Sequence, residues 1–215
     1  MTRIHTLIGL FFCVSIALTS CKFRPSELDT YKEYKTWLTD PENGLSKTKY
    51  VNGLKLTVKY LPTDYLVYQD LQGEGDIKVV DSLRNRYKQS HTFLLNIAPD
   101  ARDKEMPQGA SVMTRDIKDM EDYKLRSLIM NFDMQHYISI KNGELEFVPV
   151  LAEMENTYDL TKDRTIYLVF SDNAKGDLLM GETLDFIFED EIFATGLNHF
   201  KFDAEDIREV PALKM

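Results

Sequence analysis

Hydrophobic and polar positions alternate most regularly in residues 54–60, which Asn52 and Gly53 separate from the run 48–51. From Leu54 to Tyr60 every second residue is apolar, and the residues between them are lysine or threonine. A period of two places successive side chains on opposite faces of a strand. Because Asn-Gly is typical of a two-residue hairpin turn, the pattern predicts a β-hairpin with one buried face and one face in water.

Three segments repeat apolar residues at the three-to-four-residue spacing of an amphipathic helix. The first follows Ser26 and Asp29, which look like a capping box, and the longest is expected to begin at Thr114 or Asp116. A short helix is also expected after Pro62. The predicted apolar faces consist of Leu28, Tyr31, Tyr34 and Leu38; of Ile77, Val80, Leu83 and Tyr87; and of Leu125, Leu128, Ile129 and Phe132.

Apolar runs of strand length dominate the second half of the chain. A buried strand is predicted at 92–97, and the polar stretch 99–109 after it is expected to form a loop. Because helices gather in the first half and strands in the second, the sequence favours an α+β fold with a largely antiparallel sheet. No linker divides the chain, so one domain is predicted over residues 26–215. The later strands are expected at 137–140, 145–148, 165–170, 184–188 and 199–202.

The composition is that of a folded domain with an acidic balance. Of the 215 residues, 43% are hydrophobic and 28% are charged, which excludes a disordered or collagen-like chain. Asp and Glu number 35 against 26 Lys and Arg, which gives a formal net charge of −9. Because binding to a phosphate backbone depends on clustered cations, no nucleic-acid partner is expected.

The first 20 residues have the three regions of a secretory signal peptide. Arg3 supplies a basic start, residues 7–18 carry no charge, and small polar residues follow. A permanent transmembrane helix needs about 20 apolar residues, so this run is short for one. Residues 1–20 are therefore expected to be removed after export.

The segment Leu18-Thr19-Ser20-Cys21 resembles the lipobox of bacterial lipoproteins. The resemblance implies cleavage before Cys21, a diacylglycerol on its sulfur and usually a third acyl chain, such as palmitate, on its amino group. Residues 21–25 would then form a short tether to the membrane. Neither an inner-membrane aspartate nor an acidic surface-export run follows Cys21, so the resemblance favours an outer-membrane protein facing the periplasm. The alternative is an ordinary signal peptide that leaves Cys21 as a free thiol.

Motifs that would identify an enzyme are missing from the sequence, including the zinc-peptidase, nucleophile-elbow, P-loop and dinucleotide patterns. His91, His136 and His199 are each isolated, so no metal ligand and no cofactor beyond the covalent lipid are predicted. Residues 171–177 resemble a calcium loop in their acidic residues and glycine, but the closing glutamate is missing and a turn between strands is favoured. The acidic run 189–191 is likewise interpreted as a solvated turn or a protected edge.

These observations predict a lipid-anchored envelope protein that binds another envelope protein or a glycan without covalent chemistry. The alternative is an envelope hydrolase, whose carboxylate pair the sequence does not identify. Two carboxylates about 5 to 9.5 Å apart in a cleft would favour the hydrolase, and a contiguous apolar patch would favour the binding protein. No catalytic residue is predicted, and the site residue that the sequence does nominate is Cys21, for lipid attachment.

Overall fold

A computed structural model describes residues 24–72, 76–103, 111–157, 160–172 and 176–215. The predicted signal peptide, the lipobox and Cys21 lie outside these residues. Within them, five α-helices, two larger open sheets and one two-stranded sheet form an α+β fold, with helices in the first half and the sheets largely in the later half, as the sequence predicts. No helix in these ranges is long and apolar enough to cross a membrane.

The helices and strands are short and are joined by tight turns. The helices are α1 (Tyr31–Thr39), α2 (Thr63–Asp70), α3 (Ile77–Tyr87), α4 (Met120–Leu128) and α5 (Ala204–Arg208). A π turn, Ile129–Asp133, continues α4, and 3-10 turns lie at Pro41–Asn43 and Met134–His136. The strands are β1 (Glu27–Leu28), β2 (Ser46–Val51), β3 (Leu54–Leu61), β4 (Ser90–Pro99), β5 (Ile138–Asn142), β6 (Leu145–Phe147), β7 (Leu151–Met154), β8 (Arg164–Ser171), β9 (Thr183–Asp190), β10 (Gly196–Asp203) and β11 (Ala212–Leu213).

The two larger sheets are antiparallel throughout. One has the strand order β2-β3-β4-β8-β7 and the other has the order β10-β9-β5-β6. Strands β1 and β11 form a separate parallel pair that brings the two ends of the domain together. The predicted hairpin is present as β2 and β3, and its apolar face, Leu54, Leu56, Val58 and Tyr60, is buried as expected.

Aromatic rings fill the space between the two sheets. Phe93 of β4 lies at the centre, and its ring centroid is 5.2–5.8 Å from those of four other rings. Two of the four come from its own sheet and two from the facing sheet, so the contacts join the sheets directly. The four rings are those of Tyr60, Phe170, Phe186 and Phe202.

The first helix begins later than the sequence predicts. Thr30, and not Ser26, is the N-cap, and its hydroxyl accepts a hydrogen bond from the amide of Glu33. Leu28 belongs instead to β1, opposite Leu213. The reason is a pairing between segments that are far apart along the chain, which no local capping pattern can reveal. The core positions Tyr34 and Leu38 are buried as predicted.

Helix α4, which the sequence predicts to be the longest, has nine residues against eleven in α3, and it exposes most of the face that the sequence predicts to be buried. Asp119, rather than Thr114 or Asp116, caps α4, and its carboxylate accepts the amide hydrogens of Glu121 and Asp122. Of the predicted apolar face, Ile129 packs against the core, and the side chains of Leu125, Leu128 and Phe132 are exposed.

A buried arginine determines which way α4 faces. The guanidinium of Arg126 donates to the carbonyl oxygens of Val112, Met113 and Arg115 and lies 5.0 Å from the ring centre of Phe193. Burial lowers the pKa of Arg126, and the carbonyl oxygens compensate for the lost water. Because these partners lie on one side of the helix, that side is buried although it carries a cation.

The acidic run 189–191 contains one structural residue. Glu189 and Glu191 are exposed, but Glu189 and Asp190 belong to the inner strand β9 rather than to a turn or a sheet edge, and Asp190 is only 4% exposed. Its carboxylate accepts hydrogen bonds of 2.5–3.0 Å from three amides and one hydroxyl in the turn between β9 and β10. The donors are the amides of Ile192, Phe193 and Thr195 and the hydroxyl of Thr195.

Replacing Asp190 with alanine is expected to lower the free energy of unfolding by about 2–3 kcal/mol, because the turn amides lose a charged acceptor. Urea denaturation measures the change. The matched controls Glu189→Ala and Glu191→Ala remove exposed neighbours and are expected to stay within about 0.5 kcal/mol of the original protein. Equal effects at all three positions would contradict a structural role specific to Asp190.

Candidate functional site

Two weak candidates from the sequence meet at one end of the core. His91 belongs to β4 and Asp172 follows β8, and the pairing of these strands continues as far as a hydrogen bond from the amide of Asp172 to the carbonyl of Gln89. Asp172 therefore lies diagonally across from His91 on the same face of the sheet. The distance between Nε2 of His91 and Oδ1 of Asp172 is 3.2 Å.

Asp177 completes a cluster of three potential metal ligands. One ligand atom each from His91, Asp172 and Asp177 lies within 4.8 Å of the other two. His91 is buried, Asp172 is half-buried and Asp177 is exposed, so the cluster opens to solvent at one side. We call these three residues the His91 cluster. The rest of the predicted turn, residues 173–175, lies outside the described residues.

The two carboxylates of the His91 cluster are held by backbone donors. Oδ1 of Asp172 accepts the amide hydrogen of Leu178 at 2.8 Å, and Oδ1 of Asp177 accepts that of Leu179 at 2.7 Å. Leu178 is itself fully buried, and its carbonyl oxygen accepts a hydrogen bond of 2.7 Å from the side-chain Nδ2 of buried Asn142. The core thus fixes the segment that carries the carboxylates.

The surroundings of the His91 cluster are partly apolar. Nδ1 of His91 is buried and has no hydrogen-bond partner among the residues that the structure describes. Burial, with a smaller contribution from the negative charge of Asp172, raises the pKa of the nearby Tyr60 hydroxyl. Tyr60 therefore stays neutral at physiological pH, and the field of Asp172 extends into the core.

The two other histidines among the described residues lie elsewhere. His199 of β10 pairs with Asp185 of β9, with 2.9 Å between Nδ1 and the carboxylate oxygen Oδ2. His136 lies in the 3-10 turn beside a cleft of about 490 Å³, which Val148, Pro149 and Ile187 also line. Neither His136 nor His199 belongs to the His91 cluster, the group of potential metal ligands among the described residues.

Large apolar side chains are exposed on two neighbouring segments. Three lie on α4 and its π turn, and three lie on or just before β7, against which the π turn packs. We call this set the apolar surface. The fractional exposure of its members is 50–69%. They are Leu125, Leu128, Phe132, Val148, Val150 and Leu151.

The sequence does not identify the apolar surface, because the spacing of its helical residues predicts a buried face. The spacing of Leu125, Leu128 and Phe132 does indicate one helical face, and the structure places that face in solvent. The His91 cluster was missed for a different reason. His91 and Asp172 are 81 residues apart, so only the pairing of β4 with β8 brings them together.

The start of the described chain is fixed to the opposite terminus. The guanidinium of Arg24 forms an ion pair with Asp206 of α5 and donates a 2.9 Å hydrogen bond to Glu209. Although burial lowers the pKa of Arg24, these two carboxylates outweigh that effect and raise it overall. Together with the pairing of β1 and β11, the contacts leave no free linker between Arg24 and the domain.

Comparisons with known proteins add little to this description. Neither a protein-family model nor a curated protein matches the chain. A crystal structure of a protein of unknown function from Burkholderia pseudomallei is similar, with a TM-score of 0.42 and 11% sequence identity over 83% of this chain and 87% of that chain.

Proposed function

We propose that this chain is a lipid-anchored protein of the bacterial envelope and that it binds another envelope protein through the apolar surface. The observation that carries the proposal is the exposure of six large apolar side chains on adjoining segments. Each square ångström of apolar area removed from water contributes about 25 cal/mol of favourable free energy. A partner that covers these side chains would therefore gain binding free energy. Exposed apolar patches are typical of interaction sites, and the two segments that carry these side chains adjoin where the π turn packs against β7.

The chemistry of the apolar surface favours a protein over a glycan. Five of its six side chains are aliphatic, and Phe132 is the aromatic member. The cores of protein interfaces are depleted in charged residues and are more apolar than the rest of the protein surface. A sugar, by contrast, presents hydroxyl groups that need hydrogen-bonding partners, which aliphatic side chains do not supply.

The anchoring half of the proposal rests on Cys21 and on the contacts of Arg24. Arg24 is three residues beyond Cys21, and a fully extended chain of that length reaches about 11 Å at most. Because Arg24 is bound to α5, a lipid on Cys21 would hold that end of the domain next to the bilayer. We propose the outer membrane, with the domain in the periplasm, and no nucleic-acid partner.

Site-specific photocrosslinking in intact cells tests the binding role. A photoreactive phenylalanine analogue at Phe132 is expected to give one discrete adduct with a protein other than this chain. The control position is Leu197 of β10, which is 58% exposed and lies outside the apolar surface. The double substitution Leu125→Gln and Leu128→Gln is expected to reduce the adduct at position 132 about tenfold, which corresponds to about 1.4 kcal/mol.

The other outcomes contradict the proposal in distinct ways. Equal adducts at positions 132 and 197 would show non-specific contact, and an adduct made only of two copies of this chain would show a homodimer. An adduct that resists protease but is removed by glycan-degrading enzymes would indicate a glycan partner. Turnover of peptide, ester or glycoside substrates that a single Asp or Glu substitution abolishes would favour the hydrolase.

A further inference from the structure

We propose that the His91 cluster is a binding site for a divalent first-row transition-metal ion, with Zn²⁺ as the best match. The sequence by itself predicts no metal ligand, because each candidate is isolated along the chain. The fold removes that objection by placing one imidazole nitrogen and two carboxylate oxygens within 4.8 Å of one another. The site is independent of the apolar surface, so either proposal can fail without the other.

The donor set determines the class of metal. A neutral imidazole with two carboxylates has a net charge of −2, which balances a dication. Imidazole nitrogen suits Zn²⁺ and its neighbours in the first transition row, whereas Ca²⁺ takes six to eight oxygen ligands and Mg²⁺ strongly prefers oxygen. Three protein ligands with one open side are the arrangement of zinc sites that retain a water molecule.

The spacing of His91 and Asp172 fits such an ion. With metal–ligand bonds of about 2.0 Å, two ligands at tetrahedral positions lie about 3.3 Å apart. The observed separation of Nε2 of His91 and Oδ1 of Asp172 is 3.2 Å. Asp177, the exposed member, places one carboxylate oxygen within 4.8 Å of both ligand atoms.

The two tautomers of neutral His91 both leave a buried polar atom uncompensated. With the proton on Nε2, the imidazole donates to Asp172, and Nδ1 is an acceptor without a donor among the described residues. With the proton on Nδ1, the lone pair of Nε2 faces a carboxylate oxygen at 3.2 Å, and a metal cation bound between the two atoms relieves this repulsion. A metal ion at Nε2 selects the second tautomer.

The surroundings of His91 also set the expected affinity. A metal-bound histidine usually donates its other N–H to an acceptor, and loss of that acceptor weakens binding 10- to 100-fold. Nδ1 of His91 has no such acceptor in the described ranges. We therefore expect exchangeable binding in the micromolar range, weaker than that of a structural zinc site.

Competition between the purified full chain in detergent and a chromophoric zinc chelator tests the proposal. The chain is expected to take up one equivalent of Zn²⁺, and millimolar Ca²⁺ or Mg²⁺ is expected not to displace it. Asp177→Asn, an exposed and isosteric change, is expected to weaken binding at least tenfold. His91→Gln keeps a donor toward Asp172 and is expected to abolish stoichiometric binding.

The matched control is His199→Gln. His199 also pairs with an aspartate, but among the described residues no third potential metal ligand lies close to that pair. This variant is expected to leave Zn²⁺ binding unchanged. Substitution of Co²⁺ supplies a second readout, because an imidazole–carboxylate site of low coordination number produces intense visible absorption that Asp177→Asn should reduce. No stoichiometric uptake, uptake unaffected by Asp177→Asn and His91→Gln, or displacement by Ca²⁺ would overturn the proposal.

Discussion

Replacing Phe93 with alanine is expected to lower the free energy of unfolding by about 3–5 kcal/mol. The Phe93 side chain is fully buried, and its ring contacts rings of both sheets. The substitution removes the transfer free energy of the ring and leaves a cavity where the sheets meet. Native proteins have free energies of unfolding of only about 5–15 kcal/mol, so a loss of this size is a large fraction of the total stability. Urea denaturation and the melting temperature both measure it.

Two further variants make the Phe93 result specific. Phe93→Leu keeps much of the apolar volume and is expected to cost clearly less than the alanine change. Phe132→Ala removes the same ring from an exposed position and is expected to change stability by no more than about 0.5 kcal/mol. A loss at Phe132 comparable to that at Phe93 would show that α4 is oriented differently, and the apolar surface would then not exist as described.

Replacing Cys21 with alanine is expected to abolish palmitate incorporation and to move the protein from the membrane fraction to the soluble fraction. Each buried methylene group contributes about 0.8 kcal/mol, so two or three acyl chains hold a protein firmly, and the substitution removes all of them. From Cys21 onward the sequence has no apolar run of about 20 residues that could replace the anchor. Metabolic labelling and cell fractionation measure the two effects.

The chain contains its own control for the Cys21 experiment. Its other cysteine, Cys13, lies in the apolar run that is expected to be cleaved off, so Cys13→Ala should leave labelling and fractionation unchanged. Mass spectrometry of the mature N-terminus gives the direct answer. An unmodified Cys21, or a mature chain that begins at another residue, would refute the lipoprotein proposal and favour the ordinary signal peptide.

Elements whose burial depends on neighbours in sequence were predicted well. In the hairpin of β2 and β3, strand β3 alternates strictly and follows an Asn-Gly turn, and both signals are complete within about a dozen residues. In α3, Val80 and Leu83 are buried as expected, whereas Ile77 at the first turn is exposed. Helical spacing therefore predicts burial less well at the end of a helix, where no other part of the domain covers the side chain.

Positions whose environment is set by distant segments were predicted poorly. The orientation of α4 depends on carbonyl oxygens at 112, 113 and 115 that accept hydrogen bonds from Arg126. Asp190 is indistinguishable by composition from Glu189 and Glu191, and only the turn that closes around its carboxylate buries it. In each case a polar group is buried because specific partners compensate its desolvation, and a hydrophobicity pattern contains no information on partners.

The sequence by itself determined the fold class, the hairpin of β2 and β3, most strands and the prediction of a lipid-modified Cys21. These features rest on local chemistry: alternation along a strand, turn residues, and a short export signal. The tertiary structure decided which side of α4 faces solvent and brought His91 to Asp172 and Asp177. The physical reason is that side-chain periodicity reports which residues share a face, whereas strand pairing and buried hydrogen bonds between distant segments decide what that face meets.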